Sequence, residues 1–156
     1  YRNKKHTTAH RLTRNFEVQK ISPTDERWRQ ESMGRLRYFF DTYAFIEFVQ
    51  GNLKYKKYFE DYDVVTTMFN LIELFYNILR EFGLEKAREF YNKLKPYAVE
   101  VEDDVIEKAM LFRLKNYKLD LSYVDCIGYA LANEKNIRFL TGDAKFENFS
   151  NVEFVK

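Results

Sequence analysis

RLRYFFDTYAFIEF, residues 35–48, is the stretch on which the reading of this chain turns. Leu36 to Phe40 is a strand-length, aromatic-rich run that ends on a carboxylate, Asp41, with the hydroxyl of Thr42 beside it. A second apolar run follows at once. The first predicts a buried strand and the second a helix. A charge between two segments that both bury themselves is costly unless it is paired or used.

Working outward, the same alternation continues. The pattern predicts a strand over 35–40, a helix over 42–50 and a helical stretch over 52–60. The run DVVTT, 63–67, reads as a second strand, followed by a long helix over 68–82 that stops near Gly83. A helix over 85–94 ends before Pro96, and YAVEV, 97–101, is a short extended piece. Helices over 102–115 and 122–134 lead to a strand over 137–141, a turn with a helical nub, and a last strand over 152–155. Short apolar strands separated by helices predict an α/β domain with a mainly parallel central sheet flanked by helices. In the helix over 68–82 the apolar positions 68, 71, 72, 75, 79 and 82 predict the core-facing stripe, with Asn70, Glu73, Asn77 and Arg80 together on the other side.

Bulk composition fits one well-packed domain. The chain has 156 residues, 46% of them hydrophobic, with 15 Phe, 12 Tyr, 5 Gly and 2 Pro. No apolar run reaches the roughly 18–20 residues of a membrane span, and no secretory h-region follows the basic residues near the start. A single cysteine, Cys126, excludes an intrachain disulfide and a cysteine zinc cluster. These features lead us to expect a soluble protein of a reducing compartment, the cytoplasm. The net charge of +2 is uneven, being +5 over residues 1–35 and −3 over 36–156. Residues 1–32 therefore read as a basic extension or added leader, with Met33 placed where a start methionine would stand, and residues 33–156 as the folded body. Basicity of that arm suits nucleic acid, and it equally suits a solvated appendage.

Ligand sites in open α/β sheets form at the carboxyl ends of the strands. Asp41 closes the first strand, and Asp143, in FLTGDAKF, lies just past another. Each also has an ordinary role as a helix N-cap or turn residue. Glu73 can be part of a plain polar helix face, and Asp125 completes a capping box with Ser122. Cys126, with no histidine nearby to activate it, reads as a small buried hydrophobe. Several convergent carboxylates without His or Cys suit Mg²⁺ or Mn²⁺, hard ions that prefer oxygen ligands and retain waters and phosphate oxygens. Such ions clamp the oxygens of an in-line phosphoryl displacement and activate an attacking water.

The segments FFDTYAFIE, NLIELFY, LSYVDCIGYALANE and IRFLTGDAKFENF resemble, in order and spacing, a PIN domain, and most closely the VapC-type toxin ribonucleases of prokaryotic toxin–antitoxin pairs. The resemblance spans about 36–156. It implies a PIN-like three-layer fold, a homodimer, a cognate antitoxin and metal-dependent RNA cleavage leaving a 5′-phosphate and a 3′-hydroxyl. It maps the family's acidic quartet onto Asp41, Glu73, Asp125 and Asp143, with Thr141 as a supporting hydroxyl. Tyr43 departs from the Asn that follows the Asp-Thr pair in many relatives, and the basic leader has no counterpart.

Three other readings compete with this one. A receiver-type phosphoacceptor would need adjacent acids at the first strand and a late lysine, where this chain has one acid and T-G-D. The pair His6 and His10 has metal-binding spacing on a helix but lacks the Glu of a zinc protease. The main alternative is a non-catalytic PIN-like module that docks RNA or a protein. For it the tyrosines and phenylalanine of LKYKKYFEDYD, beside Lys54, Lys56 and Lys57, could stack bases, unless they form the buried side of an amphipathic helix.

Overall fold

Leu36 leads into β1 (Arg37–Phe40), whose residues alternate between two hydrophobic cores as a strand's side chains must. Tyr38 and Phe40 enter one core and Phe39 the other, so a continuous aromatic run is what a strand covered on both faces needs. The computed structural model describes residues 36–156. The basic arm, His6, His10 and Met33 lie outside the described residues.

After β1 come α1 (Thr42–Val49), α2 (Leu53–Asp61), β2 (Asp63–Thr67), α3 (Met68–Phe82) and α4 (Leu84–Leu94). A 3-10 turn, Lys95–Tyr97, precedes the two-residue β3 (Ala98–Val99), then α5 (Asp103–Lys115) and a second 3-10 turn, Tyr117–Leu119. The chain closes with α6 (Tyr123–Glu134), β4 (Arg138–Thr141), a 3-10 turn at Ala144–Phe146 and β5 (Val152–Phe154). All four pairings in the sheet are parallel, in the order β3-β2-β1-β4-β5. Helices α1 to α4 cover one face, through Phe45, Tyr55, Leu71, Ile78 and Phe90. Helices α5 and α6 cover the other, through Val105, Ala109, Ile127 and Leu131. This is the three-layer α/β architecture expected from the alternation.

Close packing depends on one glycine in α6. A β-carbon at Gly128 would lie 2.6 Å from the Phe39 ring, so the helix sits nearly on the sheet. Next to it Cys126 is fully buried and its thiol is pushed up to about 11, chiefly by burial and then by the Asp125 charge. It is a core residue.

One expectation needs correction, and one open alternative is decided. In α3 the buried residues are Asn70, Leu71, Leu74 and Ile78, while Ile72 is 60% and Leu79 39% exposed. The helix is apolar on more than one side, and spacing alone did not identify which stripe the sheet covers. In α2 the tyrosines form the buried side of an amphipathic helix, one of the two readings of LKYKKYFEDYD, and do not serve as stacking platforms. Tyr55 and Tyr58 are buried, and their hydroxyls donate to the Val155 carbonyl at 2.6 Å and to Glu153 at 2.8 Å.

Candidate active site

β1 and β4 are neighbours in register, Phe40 opposite Leu140, so their carboxyl ends arrive together. Asp41 follows β1 and is 2% exposed. Its backbone N–H donates to the Leu140 carbonyl at 3.1 Å, which ties it to the neighbouring strand. One carboxylate oxygen accepts from the Thr42 backbone N–H at 2.7 Å, so Asp41 does cap α1. The other accepts from the Thr141 hydroxyl at 2.8 Å. Thr141 in turn accepts from the Asp143 backbone N–H at 3.1 Å, which links the ends of both strands in one chain of contacts.

Asp125 and Glu73 act on Asp41 through their charges, and Asp143 acts on Asp125. Burial first, and then the charge of Asp125, hold the Asp41 carboxyl well above the usual carboxylate range; Glu73 adds to the push, against the bonds from Thr141 and Thr42. Glu73 is raised by partial burial and by Asp125, and lowered by a hydrogen bond with the Thr42 side chain. Asp125 is raised by burial and by Asp143, against its bonds with Ser122 and the charge of Lys145. The capping box is also formed, Asp125 N–H to the Ser122 hydroxyl at 3.0 Å and Ser122 N–H to the Asp125 carboxylate at 3.2 Å. Capping therefore orients Asp41, Asp125 and Asp143 without exhausting them, since a carboxylate offers about four lone-pair directions.

Three positions carry more of the site than the sequence suggested. Asn70 belongs to no outer polar face; it is fully buried. Its amide donates to the Thr42 hydroxyl at 3.2 Å, and its carbonyl oxygen accepts from the Thr67 hydroxyl at 2.6 Å. Thr42 thus stands between Asn70 and Glu73, so a hydroxyl–amide relay couples the start of α3 to the element that carries Asp41. Lys145 places a positive charge beside Asp125 while its ammonium donates to the Asp120 carbonyl at 2.8 Å. The Thr67-x-x-Asn70 spacing, with a hydroxyl before a helix, is the one sequence signal that could have marked the relay. Replacing Asn70 by Leu removes the acceptor of the buried Thr67 hydroxyl and a donor to Thr42, and is expected to destabilise the fold by about 1–3 kcal/mol, measured by urea denaturation.

The donors at this edge are carboxylates and hydroxyls, and the carboxyls of Asp41, Glu73 and Asp125 are each raised by burial and by a neighbouring acid. Both features fit a hard divalent cation, which would relieve the repulsion. Among the described residues, no three His, Cys, Asp or Glu side chains close into one ligand cluster. The arrangement is an open one, suited to an ion that keeps waters and binds through few carboxylates.

A parallel α/β sheet with acids gathered at its carboxyl edge defines the class. The family model "PIN domain" matches residues 38–152, and the chain belongs to the PIN-domain family. Comparison with curated proteins found no match. Among solved structures, the chain is similar in fold to a toxin–antitoxin complex from Klebsiella pneumoniae, with TM-score 0.60 and 18% identity, covering 74% of this chain and 95% of that one. It is similar to Mycobacterium tuberculosis VapC20, a sarcin-ricin loop cleaving toxin, with TM-score 0.61 and 19% identity over 74% and 98% of the two chains. DNA-bound VapBC from Salmonella typhimurium gives TM-score 0.62 and 12% identity over 77% and 97%.

Proposed function

We propose that this PIN-domain protein is the toxin of a toxin–antitoxin pair, an endoribonuclease that hydrolyses RNA phosphodiesters in the cytoplasm with Mg²⁺ or Mn²⁺. The observation that carries the reading is the convergence at the carboxyl edge of the sheet of Asp41, which feels the charges of Asp125 and Glu73, with Asp125, which feels the charge of Asp143. These four residues would hold the ion, some directly and the others through waters it retains. When bound, it would supply charge stabilisation at the phosphate and lower the pKa of a water.

The chain's own groups do the positioning. Thr141 and the Thr42 N–H each hold one oxygen of Asp41, which fixes the carboxylate plane. The Thr42 side chain holds Glu73, and Ser122 holds Asp125. Lys145 lies beside Asp125, where it can attract a substrate phosphate into an otherwise acidic edge. Cleavage leaves a 5′-phosphate and a 3′-hydroxyl, as the family resemblance implies.

The partners on this reading are RNA, a cognate antitoxin and a second copy of the chain. Support comes from the outer side of α3, where Phe69, Ile72, Tyr76 and Leu79 are exposed together. Apolar surface of that kind is normally covered in an assembly. The described residues contain no helix long and apolar enough to cross a membrane.

Incubating the protein with mixed cellular RNA, in Mn²⁺, Mg²⁺ or EDTA, tests the activity. Discrete fragments with 5′-phosphate ends are expected with either ion and not with EDTA. No fragments with either ion, or fragments indifferent to EDTA, would overturn the reading.

A further inference from the structure

The acidic edge described above is poor at holding a polyanion, so the RNA chain needs cationic surface close beside it. One groove supplies it. Lys54, Lys57, Tyr58, Phe154, Val155 and Lys156 line a space of about 390 Å³. That is within the range of small-ligand sites, roughly 300–1,000 Å³.

Its position follows from the sheet. Phe154 is paired with Thr141, whose hydroxyl donates to Asp41, and the Val155 N–H donates to the Thr141 carbonyl at 3.0 Å. The groove wall on β5 is therefore one strand spacing, about 4.8 Å, from Thr141 on β4 and two strands from Asp41 at the end of β1, at the same carboxyl end of the sheet. Tyr55 anchors that wall to α2, its hydroxyl donating to the Val155 carbonyl.

Its charge is available. Lys56 on the outer side of α2 is paired with Glu60 at 3.4 Å. Among the described residues neither Lys54 nor Lys57 forms such a pair. Lys54 donates to the Lys156 carbonyl, and Lys57 lies over the Tyr58 ring at 4.7 Å. Two lysines three residues apart on one helix face project along the groove, as an extended phosphodiester chain requires.

We propose that this groove binds the phosphate backbone of single-stranded RNA next to the scissile bond, with Lys54 and Lys57 contacting successive phosphates. The proposal rests on the nuclease reading above and extends it from the cleavage site to the path of the strand.

The test uses the full chain and a fluorescein-labelled single-stranded RNA 12-mer, with anisotropy followed in EDTA over a range of salt. The double variant Lys54→Gln/Lys57→Gln is compared with Lys56→Gln/Lys135→Gln, which removes the same charge from positions away from the groove. The first pair is expected to weaken binding about ten-fold at low salt and to flatten the log–log salt slope by about 1.4, since each single-strand phosphate contact contributes about 0.7. The second pair should bind as wild type does. Equal weakening by both pairs, which would indicate a diffuse net-charge effect, overturns the proposal, as does unchanged binding by the first pair. Cleavage by wild type in Mn²⁺ is recorded in parallel. If wild type cuts but the first pair binds normally, the groove alone is wrong; if wild type does not cut, the nuclease reading fails irrespective of the binding result.

Discussion

Asp41→Asn is expected to reduce RNA cleavage by about a thousand-fold or more, the scale on which loss of an electrostatic transition-state stabiliser is felt. The same change should leave the metal-free protein more stable than wild type. Asparagine can keep both local contacts, its oxygen accepting from the Thr42 N–H and its amide donating to the Thr141 hydroxyl. What it removes is a buried charge pressed by Asp125 and Glu73. The pH dependence gives the sign. Folding raises the Asp41 pKa, so its contribution to stability is fully present below the unfolded value of about 3.9 and is lost as pH rises through the folded value. Metal-free wild type should therefore lose stability from acid toward neutral pH more steeply than the variant. Thermal melts of both across that range, with and without Mn²⁺, check this. The ion should stabilise wild type at neutral pH and have little effect on Asp41→Asn. A variant less stable than wild type at neutral pH would mean that Asp41 is mainly a structural cap.

The second large effect is expected at Gly142→Ala. A β-carbon there would lie 2.5 Å from the Tyr43 ring, the Tyr55 hydroxyl and the Val155 carbonyl. The ring could shift, but the carbonyl is backbone, held by the Tyr55 hydroxyl at 2.6 Å in a segment whose N–H bonds Thr141 at 3.0 Å. Relief must then move β5 or the turn bearing Asp143. Overpacking against backbone should cost about 3 kcal/mol, at the upper end for inserted methyl groups. For a domain of this size that lowers Tm by roughly 6–12 °C. Because Gly142 lies between Thr141 and Asp143, cleavage by the folded fraction should fall as well. A melt within a degree or two of wild type would show that the edge is looser than the contacts imply.

These two residues also mark what could be read from the chain alone. Every helix and strand of the body was legible from its apolar period and its caps, because Ser122, Thr67 and Gly83 stand where helices start or stop. Asp41 and Asp143 were legible as site candidates because each follows a strand, and a strand's end is a sequence feature. Burial of polar groups was not. Asn70 reads as part of an outer polar face, yet it is buried because Thr42, distant in sequence, satisfies its amide; the partners of the buried Tyr55 and Tyr58 hydroxyls, Val155 and Glu153, are as distant and as invisible to a local pattern. The phase of α3 was misjudged for a similar reason, since Leu74 and Ile78 face the core only because of where the sheet lies. The need for glycine at 142 depends on Tyr43, Tyr55 and Val155 converging there, which no local pattern records.

The most direct test of the account is a calorimetric titration of Mn²⁺ into the full chain, wild type against Asp41→Asn and Asp143→Asn, at neutral pH without RNA. Saturable binding by wild type is expected, weakened at least about ten-fold in either variant, since even outer-shell partners of a metal site are worth that much. Equal affinity in all three proteins would contradict the carboxylate site proposed for this edge of the sheet.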